Sequence, residues 1–251
     1  MLSRYIGAMV LALLPALASA AEVVVFCPGA VQTVVKDLAA SYTQATGHSI
    51  KFVFGTAGSV AKRVADGEGG DVVITTAAIM ANLAKSGRVD GKSTLGLGSM
   101  GVGVAVRTGA AQPDVRTVDA FKAAMLAARS ITFADPAFGG QGGIHVAKVF
   151  EQLGIANDVK PRLQLRPGAP EAFVGVARGD IEVGLGQISE ILANKGLTLV
   201  GPLPPAIQSS VAFAAALQTG SQAQEAGSAF IAHVSSPTAK GRFRELGFEV
   251  K

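Results

Sequence analysis

Between Val23 and Asp71 an apolar, β-type run twice stops at glycine and small residues and gives way to a helical pattern. The first run, Val23-Val24-Val25-Phe26, passes through Cys27-Pro28-Gly29-Ala30. It continues from Val31 to Tyr42, with Val31, Val34, Val35 and Leu38 at helical spacing. The second, Ile50 to Phe54, passes through Gly55-Thr56-Ala57-Gly58-Ser59 into a helical stretch from Val60 to Val64. A third turn of this kind follows Ile131-Thr132-Phe133-Ala134, runs from Asp135 to Gly143 and opens a helix from Ile144 to Leu153. A strand that feeds a helix through a glycine turn leaves the first backbone N–H groups of the helix free and aimed at one point. One such turn is ordinary connection in an α/β protein. Three in a small chain predict a shared site for an anion.

The alternation continues beyond these units. Strands are expected at Asp71–Thr75, Pro161–Leu165, Ile181–Leu185, Leu197–Val200 and Ser210–Ala215. Helices are expected at Ala77–Ser86, Thr117–Ala128, Glu171–Arg178, Ser189–Asn194, Ser221–His233 and Ala239–Leu246. Such an order predicts an α/β fold with mostly parallel sheets and helices on both faces. Two places break the rhythm: the glycine-rich 98–106 and the proline-rich 202–210. They are where a chain crosses to a second lobe and returns. The expected division is therefore 21–100 with 208–251 as one lobe and 101–207 as the other, with a ligand in the cleft between them.

The N-terminus reads as an export signal. Arg4 precedes an apolar run from Ile6 to Leu17, and Ala18-Ser19-Ala20 forms a small-residue cleavage motif, so residues 1–20 are expected to be removed and the protein to be periplasmic. The run is shorter than the roughly 20 residues a membrane span needs and is broken by Pro15. Removal costs only Arg4 among charged residues, taking the formal charge from +4 to +3. The remaining basic residues form no block and have no interleaved aromatics, which argues against nucleic acid as a partner. A single cysteine excludes an internal disulfide framework, and His48, His145 and His233 lie too far apart in sequence for a structural zinc motif. No cofactor is expected.

With these features the chain resembles the periplasmic substrate-binding proteins of ABC transporters, most closely the molybdate-binding branch, which also includes a periplasmic aconitate isomerase. The resemblance rests on VVVFCPGAVQTVVKDLAASY, FGTAGSVAKRVADGEGGDVVIT, ADP…GGIHVAKVFEQLGI and RGDIEVGLGQISEI, and it extends over essentially the whole mature chain. It implies a two-lobed, class II binding-protein fold, a monomer, a small anionic ligand and an ABC-transporter permease as partner. In the family a tetrahedral oxyanion is held by hydroxyls and by backbone N–H groups at helix starts. This chain departs from that pattern. Ala30 stands where the first turn is expected to carry a serine, Thr56-Ala57-Gly58-Ser59 replaces a run of serines, and Gln187 replaces a tyrosine. Each hydroxyl donor missing from a dry site costs on the order of 1–3 kcal/mol. The expected ligand is accordingly a di- or tricarboxylate and not molybdate.

The expected binding residues are Gly29, Ala30, Thr56, Gly58, Ser59, Gly142, Gly143 and Gln187. Ser59 reads equally as a helix cap and as a ligand contact. Lys62 and Arg63 read as a solvated helix face or as cations leaning into the cleft, and Arg166 as a carboxylate clamp or a surface residue. His145 is the candidate acid or base for the isomerase alternative, since its imidazole titrates near neutrality. Cys27 reads as a buried small side chain rather than a nucleophile.

Overall fold

The computed structural model describes residues 20–250. All but the last residue of the expected signal sequence therefore lies outside the described residues. Among the described residues nine strands form two separate sheets. The first has the order β2-β1-β3-β9-β4, built from β1 (Glu22–Pro28), β2 (Ser49–Gly55), β3 (Val72–Thr76), β4 (Leu95–Met100) and β9 (Val211–Leu217). The second has the order β6-β7-β5-β8, built from β5 (Val102–Arg107), β6 (Ile131–Thr132), β7 (Val183–Gln187) and β8 (Leu197–Pro202).

The strands alternate as buried sheets require. Val23, Val25 and Cys27 of β1 pack into the core on one face, with Val72 and Ile74 of β3 and Phe213 and Ala215 of β9. Phe26, Val73, Ala214 and Ala216 point into a second core on the other face. Helices α1 (Gln32–Thr46), α9 (Gln224–Val234) and α10 (Pro237–Glu245) cover the first face through residues such as Val35, Phe230 and Phe243. The helices α2 (Ala57–Ala65) and α3 (Ala77–Lys85) cover the second through Val60, Val64 and Met80. The second sheet is likewise sandwiched. On one face it packs against α4 (Val118–Ala127), α5 (Gln141–Gln152) and the short α6 (Ala156–Val159), which contribute Phe121, Phe150 and Val159. On its other face lie α7 (Ala169–Arg178) and α8 (Ile188–Leu192), which contribute Phe173, Val176 and Ile191.

The chain passes from the first sheet to the second between β4 and β5 at Gly101, and returns between β8 and β9 through 203–210. The side chain of Gln208 clips the two crossings together. It accepts from the Val102 N–H at 3.0 Å and donates to the Val102 carbonyl at 2.8 Å. Next to the crossing, Gly98 lies at φ 136°, and a Cβ there would stand 2.9 Å from the Glu249 carbonyl oxygen. Only glycine fits that backbone.

The sheets are mixed. Ladders β1/β2, β1/β3 and β6/β7 are parallel, as alternation with helices demands. The antiparallel ladders β3/β9, β4/β9, β5/β7 and β5/β8 all involve β5 or β9. These are the two strands that follow a crossing. A strand arriving from the other lobe enters its sheet from the cleft side, so it runs against strands whose C-terminal ends face the cleft.

Two local expectations are corrected. No strand forms over 161–165. Residues Lys160–Arg162 make a 3-10 turn, in which Pro161 has no N–H to give to a ladder, and only isolated bridges Ile131 to Leu163 and Ala134 to Arg166 remain. Helix α5 starts at Gln141, three residues before the apolar periodicity begins at Ile144. The glycines there are helical, not part of the turn.

Candidate functional site

A cleft of about 480 Å³ opens between the two sheets, at the C-terminal ends of β1, β2 and β7. Five helix starts border it, that of the short α8 at Gln187 among them, and the chain treats the other four differently.

At the first, β1 ends in Pro28, and Gly29–Val31 makes a 3-10 turn into α1 with no side-chain cap. The Ala30 carbonyl accepts the Ser189 hydroxyl at 2.5 Å, tying this turn to α8 of the other lobe. The second start, that of α2, satisfies itself. Thr56 Oγ1 accepts from the Ser59 N–H at 3.0 Å, while Ser59 Oγ accepts from the Thr56 N–H at 2.8 Å and donates to the Thr56 carbonyl at 3.0 Å. This is a reciprocal capping box. Thr56 Oγ1 also donates to the Phe138 carbonyl, and the Gly58 N–H donates to the Gly139 carbonyl at 3.2 Å. The second turn thus engages the opposite lobe directly.

The third start, that of α5, has Gly140 at its N-cap and no side-chain cap. Gly142 and Gly143 are buried there. A Cβ on Gly143 would fall 1.7 Å from the Ala134 carbonyl oxygen, so the close approach of helix and strand end requires glycine. Gly142 lies against Gln187, whose Nε2 would be 3.6 Å from a Cβ at that position. The fourth start, that of α7, has Gly168 as N-cap, again without a side-chain cap. Gly168, Ala169, Pro170 and Glu171 all line the cleft.

Of the expected binding residues, Gly29, Ala30, Thr56, Ser59, Gly142, Gly143 and Gln187 line the cleft. Gly58 does not, and its N–H is occupied by Gly139. The Ser59 hydroxyl is fully engaged within the capping box, which leaves it no proton for a ligand. His145 also lies outside the cleft lining. Its Nε2 is 2.8 Å from the Ile207 carbonyl oxygen, which can only accept, so the ring donates there and holds α5 to the return crossing. Lys62 and Arg63 are exposed and paired with Asp66 and Glu68. Arg166 is exposed and donates to the Leu165 carbonyl. Cys27 is buried, and burial pushes its thiol well above the usual range.

Sequence reasoning missed Glu190. It occupies the third position of α8 and lines the cleft. Its carboxyl reaches Gly29 of the other lobe, where a Cβ would stand only 2.8 Å from Oε1. Loss of solvation, with repulsion from Glu171 added, raises its pKa to about 7 against the opposing pull of the Gln187 N–H. An acid three residues beyond Gln187, at the capping-box position of a helix start, was the one sequence signal for it. Among the described residues, Glu171 and Glu190 are the only charged ones lining the cleft. Gln187 is 4% exposed, and its buried Oε1 has no hydrogen-bond partner among the described residues. The site can therefore offer backbone donors, the glutamines Gln32, Gln141 and Gln187, and a carboxyl poised between acid and base, against walls of Phe54, Phe138 and Phe213.

Comparison with known proteins agrees with this architecture. An aconitate isomerase from Pseudomonas sp. is 28% identical over 97% of this chain and 94% of its own length. The periplasmic molybdate-binding protein of Azotobacter vinelandii superposes with a TM-score of 0.76 at 16% identity, covering 91% of this chain and 99% of that one. A sulfate-binding protein from Mycobacterium tuberculosis H37Rv gives a TM-score of 0.69 at 17% identity, over 91% and 86%. Among the described residues no helix is long and apolar enough to cross a membrane. Residues 23–249 match the family model, and the chain belongs to the bacterial extracellular solute-binding proteins.

Proposed function

We propose that the protein captures a small di- or tricarboxylate in the interlobe cleft and presents it, as a monomer in the periplasm, to an ABC-type permease. Lobes 21–100 with 208–251 and 101–207 close on the ligand about the crossings at Gly101 and 203–210. One observation carries this reading: uncapped helix starts from both lobes meet in a cleft walled by Phe54, Phe138 and Phe213. The helix starts favour anionic oxygens, each dipole by about 0.3–1 kcal/mol. The aromatic walls favour a carbon skeleton between those oxygens. A tetrahedral oxyanion has none to offer, and Ala30, Ser59 and Gln187 give it no free hydroxyl.

Calorimetry with citrate, tricarballylate, trans-aconitate, molybdate and sulfate tests the reading. Micromolar or tighter binding of a carboxylate is expected. Submicromolar molybdate binding with no carboxylate response would overturn it. An isomerase on the same cleft is the second reading, favoured by Glu190 among the helix starts and by the similarity to an aconitate isomerase.

A further inference from the structure

We infer that Glu190 is an acid–base catalytic residue. Its carboxylate takes a proton from the saturated carbon beside the C=C bond of a bound unsaturated carboxylate and returns it to the far alkene carbon. The inference rests on the carboxylate reading of the cleft and adds an activity to it. The step balances within the substrate. One C–H bond breaks and its electron pair moves into the allyl system, with charge reaching a substrate carboxylate. A C–H bond then forms at the other end of the allyl unit, and Glu190 regains its starting state. Because the double bond is remade at the opposite end, cis and trans isomers of a tricarboxylate interconvert.

Placement singles out Glu190. It reaches from α8 to Gly29 in the other lobe, so closure puts its carboxyl against whatever the helix starts hold. Glu171, the other acid of the lining, is exposed and lies over Gly168 of its own helix start, where a Cβ would be 2.7 Å from Oε2. His145 stands outside the lining with its ring engaged. Beside Glu190, the buried Oε1 of Gln187 is an acceptor that nothing among the described residues satisfies. A buried orphan acceptor is costly unless a donor completes it. The acid form of a ligand carboxyl, or of Glu190 itself during the cycle, supplies that donor.

Electrostatics support the geometry. The groups acting on Glu190 are its own N-cap N–H at Gln187 and the Glu171 carboxylate of α7, while the Gly29 turn facing it is uncharged. Desolvation chiefly, and Glu171 second, bring its pKa to about 7, where both forms are populated at neutral pH. The N–H groups of the helix starts face the charge that develops on the substrate carboxylate.

The test incubates the protein with trans-aconitate, and separately with cis-aconitate, in D2O and follows both by proton NMR. Wild type should interconvert the isomers and exchange the allylic protons. Glu190→Gln should lose about 10³-fold in kcat while calorimetry still shows carboxylate binding. Glu190→Asp should restore part of the rate. In Glu171→Gln the acidic limb of the kcat/KM profile, which reports Glu190 losing its proton, should move to lower pH, because a neighbouring negative charge has gone. That shift needs only a folded, active protein, so it stands if Glu190→Gln fails to fold. Wild type that binds a carboxylate without turning it over would sink the catalytic inference and spare the binding reading. Wild type that binds no carboxylate would sink both. Wild-type rates in Glu190→Gln, or an unmoved profile in Glu171→Gln, would overturn the role of Glu190.

Discussion

The starts of α2 and α5 carry nearly the same signature, a strand end followed by small residues and glycine, yet they are opposite in use. At α2 the side chains of Thr56 and Ser59 take up the orphan donors, and what remains reaches across to Phe138 and Gly139. At α5 no side chain caps the helix, and Gly142 and Gly143 bring its bare backbone against β7 and Ala134. The first is a structural end that latches the lobes together. The second is an end left open towards the cleft. A hydroxyl beside a helix start therefore counts against a binding role unless its own helix has released it.

The contrast is broken most severely at Gly143. A Cβ there would sit 1.7 Å from the Ala134 carbonyl oxygen, so backbone must move. Gly143→Ala is expected to destabilise the protein by about 3 kcal/mol or more, read as a large loss of Tm. A wild-type Tm would mean that α5 does not pack as described.

Adding the missing cap sharpens it. Gly140 precedes α5 with φ −72° and ψ 115°, a conformation open to any residue. Gly140→Asp would place a carboxylate on the free N–H groups. Carboxylate affinity should fall about 100-fold, near 2.7 kcal/mol, while Tm holds, since a new cap offsets crowding against Ala134. Unchanged affinity in calorimetry would show that the ligand does not use this helix start.

Gly58 offers the matching test of the latch. A Cβ there would meet the Gly139 Cα at 2.9 Å, a contact made only when the lobes are together. Gly58→Ala should leave the Tm of unliganded protein nearly unchanged and weaken carboxylate binding about tenfold, 1.4 kcal/mol. A drop in Tm without loss of affinity would assign the glycine to folding and not to closure.

The sequence disclosed the parts of the site that depend on local backbone chemistry. The turns at Gly29, Thr56 to Ser59 and Gly140 to Gly143 were legible because glycine after an apolar strand has few other uses, and the crossing beside Gly98 because glycine interrupts the alternation there. Side-chain direction was not legible. Ser59 reads alike as cap and as contact, and only the closed ring of bonds with Thr56 decides. Glu190 was hidden for a different reason. Its burial depends on α8 packing back over the Gly29 turn, an encounter between residues far apart in the chain that no spacing rule announces. Strand direction in β5 and β9 followed from the crossings and not from the local pattern.

The smallest expected effect tests the comparison most selectively. Ser59 Oγ accepts from the Thr56 N–H and donates to the Thr56 carbonyl, so Ser59→Ala removes one half of the capping box and leaves the other, Thr56 Oγ1 on the Ser59 N–H, in place. Half a box is worth about 1 kcal/mol, or roughly 2–4 °C of Tm in a protein of this size. Carboxylate affinity should stay within about twofold, since no proton of that hydroxyl faces the cleft, whereas a hydroxyl serving both helix and ligand would lower affinity and Tm together. Thermal denaturation and calorimetry on one preparation separate the two. A tenfold loss of affinity with an unmoved Tm would mean that the α2 start opens to the ligand after all, and the division between closed and open helix starts would fall with it.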